Sequence, residues 1–176
     1  QELLQNDAIM VDITKVADLI VEAFNNGNKL LFCGNGGSAA DAQHLAAEFS
    51  GRYYLNRPPL HAEALHTDTS FMTAVSNDLS FDDVYARLIQ GIGKQGDILI
   101  GMSTSGNSKN IINVLNIAKK LGIHSIGFLG NDGGLAKEIC DIPLIVNSTK
   151  TSHIQECHIV CIHAIVEKLE LNLSSK

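Results

Sequence analysis

The sequence predicts an α/β fold with a mainly parallel sheet of five strands and right-handed crossovers. Three observations carry that reading. Apolar runs of strand length alternate with amphipathic segments of helix length, at the spacing of βαβ units. At 176 residues the chain is long enough for one domain, spanning 1–176, with a sizeable core. The composition is 45% hydrophobic with 5% aromatic residues and no tryptophan, so Leu, Ile, Val and Ala must build that core. Such a mix suits a buried parallel sheet covered by helices.

The elements follow in order. Val11, Ile13, Val16, Leu19, Ile20 and Phe24 recur at helical spacing over residues 10–25, and Asn25-Asn26-Gly27-Asn28 supplies the chemistry of a helix end. A strand covers 29–33. Residues 38–49 read as a helix with Ser38 as N-cap and Asp41 three residues on, an acidic variant of the capping box. Asn56-Arg57-Pro58-Pro59 interrupts the chain before a weaker strand at 62–66. Two short helical patterns follow, around 71–75 and 83–92, and 97–102 is the clearest strand. Residues 110–121 form a helix with Ile111, Ile112, Val114, Leu115 and Ala118 inward. A strand at 124–129 runs into Gly130-Asn131-Asp132-Gly133-Gly134, another spans 142–146, and a long final helix covers 152–171.

Charge and composition exclude several functional classes. The formal charge is −6, and arginine stands only at Arg52, Arg57 and Arg87, which leaves no basic stripe for a nucleic-acid backbone. No apolar run reaches the roughly 20 residues that span a bilayer. The start, Gln1-Glu2-Leu3-Leu4-Gln5, lacks the basic-then-apolar order of a secretory signal. The expected location is therefore cytoplasmic. Cys33, Cys140, Cys157 and Cys161 show no metal-ribbon or secreted-domain spacing and read as reduced thiols. Cys157 and Cys161, four apart on a helix, favour a core or interface role over a metal pair.

In a parallel sheet, ligands bind beyond the carboxyl ends of the strands, where two Gly and Ser loops launch helices. The first is Gly34-Asn35-Gly36-Gly37-Ser38. With Ala39 it satisfies a G-x-G-x-x-A form, but the acidic ribose partner expected about 20 residues on is absent, since Arg57, Pro58 and Pro59 stand there. A P-loop is excluded because no Gly-Lys-Ser/Thr follows. The second loop, Ser103-Thr104-Ser105-Gly106-Asn107-Ser108, places four hydroxyls before a helix N-terminus, with Lys109 the one adjacent cation. Hydroxyls, N–H groups and the helix dipole suit a phosphate; ordinary turn chemistry is the plainer alternative.

His44 and Glu48 share one face of the first-loop helix, a spacing that chelates a divalent metal and places a carboxylate able to move protons. On spacing alone, a solvated face with Glu48 paired to Arg52 is the stronger reading. On the last helix, Gln155, Ile159 and His163 follow one face, and His158 lies amid apolar neighbours. Polar groups on so apolar a helix need partners, and two histidines with a glutamine point toward a site.

Taken together, Cys33-Gly34-Asn35-Gly36-Gly37-Ser38, His44-Leu45-Ala46-Ala47-Glu48, Gly51-Arg52-Tyr53, Asn77-Asp78, Ser103-Thr104-Ser105-Gly106-Asn107-Ser108 and Ile154-Gln155-Glu156 with His158 and His163 closely resemble the phosphoheptose isomerases of the sugar isomerase (SIS) domain superfamily. The match runs in order over nearly the whole chain. The resemblance implies a flavodoxin-like three-layer sandwich and conversion of sedoheptulose 7-phosphate to D-glycero-D-manno-heptose 7-phosphate, a step toward the heptose of lipopolysaccharide or capsule. It implies a homotetramer with active sites between subunits. By the same resemblance Ser103, Thr104, Ser105 and Ser108 hold the phosphate, while Asn35, Gly36, Gly37, Asn77, Asp78, Glu48 and Gln155 contact the sugar. Glu48 is the carbon base and His163 its acid/base partner at oxygen. In similar enzymes one zinc ion per subunit is held by residues matching His44, Glu48, Gln155 and His163, and the resemblance implies the same here. Eight residues of straight helix rise about 12 Å, so Gln155 and His163 must lean together or come from different subunits. Ser152 stands where some relatives carry an acid.

Two other classes share these features. A non-enzymatic SIS adaptor that binds the bacterial replication initiator needs no proton-transfer pair, so retention of Glu48 and His163 favours an enzyme. Another sugar-phosphate isomerase or an amino-sugar phosphate lyase shares the phosphate loop but needs different sugar contacts.

Overall fold

The structure, a computed structural model, describes residues 7–174. The start at Gln1 to Gln5, read above for a secretory signal, lies outside the described residues. Helix α1 (Asp7–Asn25) ends at Gly27, which adopts φ +76° while the Asn28 N–H returns to the Ala23 carbonyl. Glycine takes that left-handed conformation without the Cβ clash other residues suffer. Strand β1 (Leu30–Cys33) then leads to α2 (Gly37–Ser50), β2 (Ala62–Ala64) and α3 (Thr69–Asp78). A 3-10 turn (Phe81–Asp83) precedes α4 (Val84–Ile92), followed by β3 (Ile98–Ser103) and α5 (Lys109–Leu121). Strand β4 (His124–Gly130), a second 3-10 turn (Ala136–Glu138), β5 (Ile142–Val146) and the long α6 (Thr151–Ser174) complete the chain.

All four strand pairings are parallel, in the order β2-β1-β3-β4-β5. Side chains alternate across the sheet, so each strand serves two cores. Leu30, Phe32, Ile98, Ile100, Ile126 and Phe128 pack with α1, α2 and α6, whereas Leu31, Cys33, Leu99 and Leu129 pack with α4 and α5. Burying each such Leu, Ile or Phe contributes about 1.5–3 kcal/mol. The three layers are thus helices, sheet, helices. No described helix is long and apolar enough to cross a membrane.

Three expectations change. Ser38 does not cap α2: Gly36, at φ +56°, turns the chain a residue pair earlier, no side-chain cap bond forms, and Ser38 is buried. Strand β2 is shorter than 62–66, because it is an edge strand whose chain turns away after Ala64. On α5, Ile112 is half-buried rather than inward. The four cysteines are free, with Cys33, Cys140 and Cys161 buried.

Candidate active site

Reversal of strand order between β1 and β3 opens a crevice at their carboxyl ends, since the following helices depart to opposite faces of the sheet. Both glycine loops lie there. Asn35 and Asn110, 75 residues apart, join them with a reciprocal pair of amide bonds: Asn35 Nδ2 donates to Asn110 Oδ1 at 2.9 Å, and Asn110 Nδ2 donates to Asn35 Oδ1 at 2.8 Å. The Asn35 side chain is therefore committed to the opposite loop. Asn110, 2% exposed in the first turn of α5, is absent from the sequence-derived site. A polar residue on the inward stripe of a helix was the signal for it.

The Gly36–Gly37 turn presents the amide end of α2 to the crevice, the arrangement that receives anionic or polar ligand groups. Gln155 of α6 rests on Gly37: a Cβ there would stand 2.9 Å from both Cδ and Oε1 of Gln155 and would push that amide aside. Below the loop, the buried Tyr85 hydroxyl donates to the Gly34 carbonyl. Burial raises the Tyr85 and Cys33 pKa values well above their ordinary range, so both stay protonated.

The second loop gathers hydroxyls at the amide end of α5 and is braced from behind. Ser103 and Ser108 face each other with their hydroxyls 3.0 Å apart, and Ser108, although it starts α5, makes no side-chain cap bond. Ser105 Oγ accepts from the Asn107 N–H at 3.1 Å. Residues 130–136 hold the loop: Asn131 donates to the Thr104 carbonyl at 2.9 Å, the Leu135 N–H to Asn107 Oδ1 at 3.0 Å, and the Ala136 N–H to the Gly106 carbonyl at 2.9 Å. Lys109 instead pairs with Asp82 across 3.6 Å at an exposed surface, where such a pair contributes at most about 1 kcal/mol. Asn77 and Asp78 end α3, exposed, with Asn77 donating to Asp78 at 2.8 Å; among the described residues no hydrogen bond links them to either loop.

A second group lies away from the crevice, where α2 and α6 pack together. His44 Nε2 and Glu48 Oε1 are 3.1 Å apart, and the His44 and His163 rings meet edge to face at 5.5 Å. One ligand atom from each of His44, Glu48 and His163 falls within 4.8 Å of the others, a possible metal-binding cluster. His163 Nε2 is buried with no hydrogen-bond partner, a lone nitrogen that a metal or substrate would satisfy. Tyr53 packs its ring 5.6 Å from that of His163. Glu48 faces His44 rather than Arg52. Gln155, at the level of Gly37, is eight residues before His163, about 12 Å along the helix.

Sequence reasoning missed Asp41, which shares the α2 face of His44 and Glu48. Its Oδ2 is buried without a partner, and burial raises its pKa against the opposing effect of His44. Its spacing to His44 was the available signal. His158 belongs to neither group: it is a fully buried core residue with Nε2 3.1 Å from the Leu129 carbonyl, and burial, partly offset by that bond, lowers its pKa to about 4.

Comparison with known proteins agrees with this architecture. The family model for the SIS domain matches residues 5–130. The phosphoheptose isomerase of Synechocystis sp. is 52% identical over 161 residues, covering 92% of this chain and 83% of that protein. The structure of phosphoheptose isomerase from Neisseria gonorrhoeae superposes with a TM-score of 0.85 at 42% identity, covering 90% of this chain and 85% of that one. That of Francisella tularensis gives 0.87 at 34% identity, covering 90% and 84%.

Proposed function

The chain belongs to the phosphoheptose isomerases of the SIS domain family, and from that premise we propose that, as one SIS domain, it converts sedoheptulose 7-phosphate to D-glycero-D-manno-heptose 7-phosphate. The observation that carries the mechanism is the convergence of His44, Glu48 and His163 within 4.8 Å on two packed helices.

Exchanging a ketose for an aldose moves one proton between carbons and one between oxygens. Glu48 takes a proton from C1, leaving an enediol across C1 and C2, and returns it to C2. His163 donates to the C2 oxygen and accepts from the C1 oxygen, so each group ends as it began. The Ser103, Thr104, Ser105 and Ser108 hydroxyls and the amide end of α5 bind the phosphate. The turn at Asn35, Gly36 and Gly37, with Gln155, Asn77 and Asp78, orients the sugar.

Two imidazoles and a carboxylate, one nitrogen of them unpartnered and buried, fit zinc, and three protein ligands with a free position suit a catalytic ion. Zinc, one ion per subunit, would be held by His44, Glu48 and His163 through one ligand atom each, leaving the second Glu48 oxygen and the other His163 ring nitrogen to move protons; Gln155 would complete the set only from another copy. When bound, the ion polarises the carbonyl and stabilises negative charge on oxygen.

His44 and Glu48 lie seven and eleven residues beyond Gly37, about 10 and 16 Å along α2. Helix α2 runs back from the carboxyl edge of the sheet, so this distance separates the cluster from the Gly36–Gly37 turn of its own chain. The separation supports an active site that combines loops of one subunit with the cluster of another, in keeping with the homotetramer that the family resemblance implies. The enzyme then serves heptose supply for lipopolysaccharide or capsule, from the cytoplasm. Incubation with sedoheptulose 7-phosphate, followed by NMR, tests the reading: aldoheptose 7-phosphate signals are expected, and an unchanged ketose spectrum with zinc-supplemented protein would overturn it.

A further inference from the structure

Glu48 and His163 sit on different helices, and a buried ion pair ties those helices together beside them. The Arg57 side chain is 8% exposed and that of Glu170 3%, with Nε donating to Glu170 Oε1 at 2.9 Å. The same guanidinium donates through Nη2 to the Glu48 backbone carbonyl at 2.8 Å and through Nη1 to that of Phe49 at 2.9 Å. Glu170 Oε2 accepts the N–H groups of Tyr54 and Leu55, both at 3.0 Å.

Carbonyls in the last turn of a helix are ordinarily left to water. Here a rigid planar fork takes two of them, and one belongs to Glu48 itself. The fork is oriented by an acid on α6, two turns beyond His163. The same acid seats residues 51–57, which carry Tyr53 against the His163 ring. Burial would raise the Glu170 pKa, yet the Leu55 and Tyr54 amides and Arg57 bring it below its ordinary range, so the carboxylate stays charged. A buried ion pair is weak evidence of stability, because desolvation cancels much of its attraction. Its directional bonds, by contrast, fix geometry.

We propose that Arg57 and Glu170 are positioning residues for the isomerisation, holding the Glu48 turn of α2 in register with His163 of α6. The proposal rests on the reading of Glu48 and His163 as the proton-transfer pair. Neither clamp residue belongs to the phosphate loop, so their loss acts on the chemical step rather than on substrate capture.

The test compares wild type, Glu48→Gln, Arg57→Lys, Glu170→Gln and Ser125→Ala. Lysine keeps the charge but has no fork to span two carbonyls. Ser125→Ala breaks a half-buried bond to Asp141 at the far end of β4 and serves as a destabilised control. Displacement of a catalytic group by an ångström costs about 100-fold, so Arg57→Lys and Glu170→Gln are expected to lower kcat by about 10- to 100-fold with KM within about twofold. Ser125→Ala keeps wild-type kcat. Wild-type kcat in both clamp variants would overturn the proposal, as would a loss of kcat in Ser125→Ala that matches theirs. For a variant that folds poorly, Arg57→Ala is assayed with and without added guanidinium ion: restored kcat supports the clamp, and no gain beyond that from ammonium counts against it. If wild type does not turn over sedoheptulose 7-phosphate, the functional reading fails while the clamp is still decided by amide exchange over 48–55. Exchange there at least about tenfold faster in Glu170→Gln, with α5 unchanged, supports it, and unchanged protection overturns it.

Discussion

Substituting Gly106→Ala perturbs the phosphate loop at the point where it leans on residues 130–136. Gly106 has φ +65°, and an added Cβ would stand 2.8 Å from the Gly134 nitrogen and closer still to the Gly133 carbonyl. The left-handed conformation costs an L-residue about 1–2 kcal/mol, offset by about 0.4–1 kcal/mol of lost freedom in the unfolded chain. The backbone overlap has no side-chain rotamer to relieve it, so the loop must withdraw. That breaks the bonds of Gly106 with Ser103 and Ala136, each contributing about 1 kcal/mol. The expected loss of stability is about 2–4 kcal/mol, read as a lower urea midpoint with unchanged slope. Because the hydroxyls move with the loop, KM for the sugar phosphate rises by about tenfold or more. Gly91→Ala, in α4 with nothing within 4 Å of its Cβ, is the comparison and leaves KM unchanged. Wild-type KM and midpoint in Gly106→Ala would refute the bracing of this loop.

Further outcomes follow from other parts of the molecule. Ser105→Ala and Ser108→Ala raise KM more than they lower kcat; unchanged KM in both removes the phosphate role. Removal of metal by a chelator lowers turnover and zinc restores it, whereas undiminished rate in metal-free protein makes His44 a structural residue. His158, with its folded pKa near 4, is neutral in the fold. An unfolded histidine titrates near 6.5, so as pH falls below that value the unfolded chain binds the proton first and stability drops, until the fold titrates near 4. Between pH 8 and pH 5 this removes about 2 kcal/mol, measurable as a falling urea midpoint. His158→Leu flattens that part of the profile, and an unaltered slope in the variant assigns it to other groups.

Local periodicity made most of the fold legible. The uniform apolar run at β3 and the i, i+3, i+4 stripe of α5 needed no tertiary knowledge, and their loops fell at the ligand edge because parallel strands share one. The cap of α2 was not legible: Ser38 has the right chemistry, but a positive φ at Gly36 starts the helix first. Edge position shortened β2, which pattern alone does not report. Within the site, His44 and Glu48 were visible from helical spacing, whereas the meeting with His163 depends on packing of α2 against α6. The Asn35–Asn110 pair and the Arg57–Glu170 clamp join residues 75 and 113 apart in sequence, beyond any local pattern. Glu170 did leave a trace, as an acid on the same helical stripe as the buried Ile162 and Val166.

The central claim is that Glu48 moves the proton between carbons. It is tested most directly by running the reaction in D2O with wild type and Glu48→Gln, and reading C1 of the ketose and C2 of the aldose by NMR. Wild type is expected to admit solvent deuterium at these carbons during turnover, and Glu48→Gln to bind the sugar phosphate with neither exchange nor product. Isomerisation by Glu48→Gln at the wild-type rate, or wild-type product that keeps all its protium, would contradict the account.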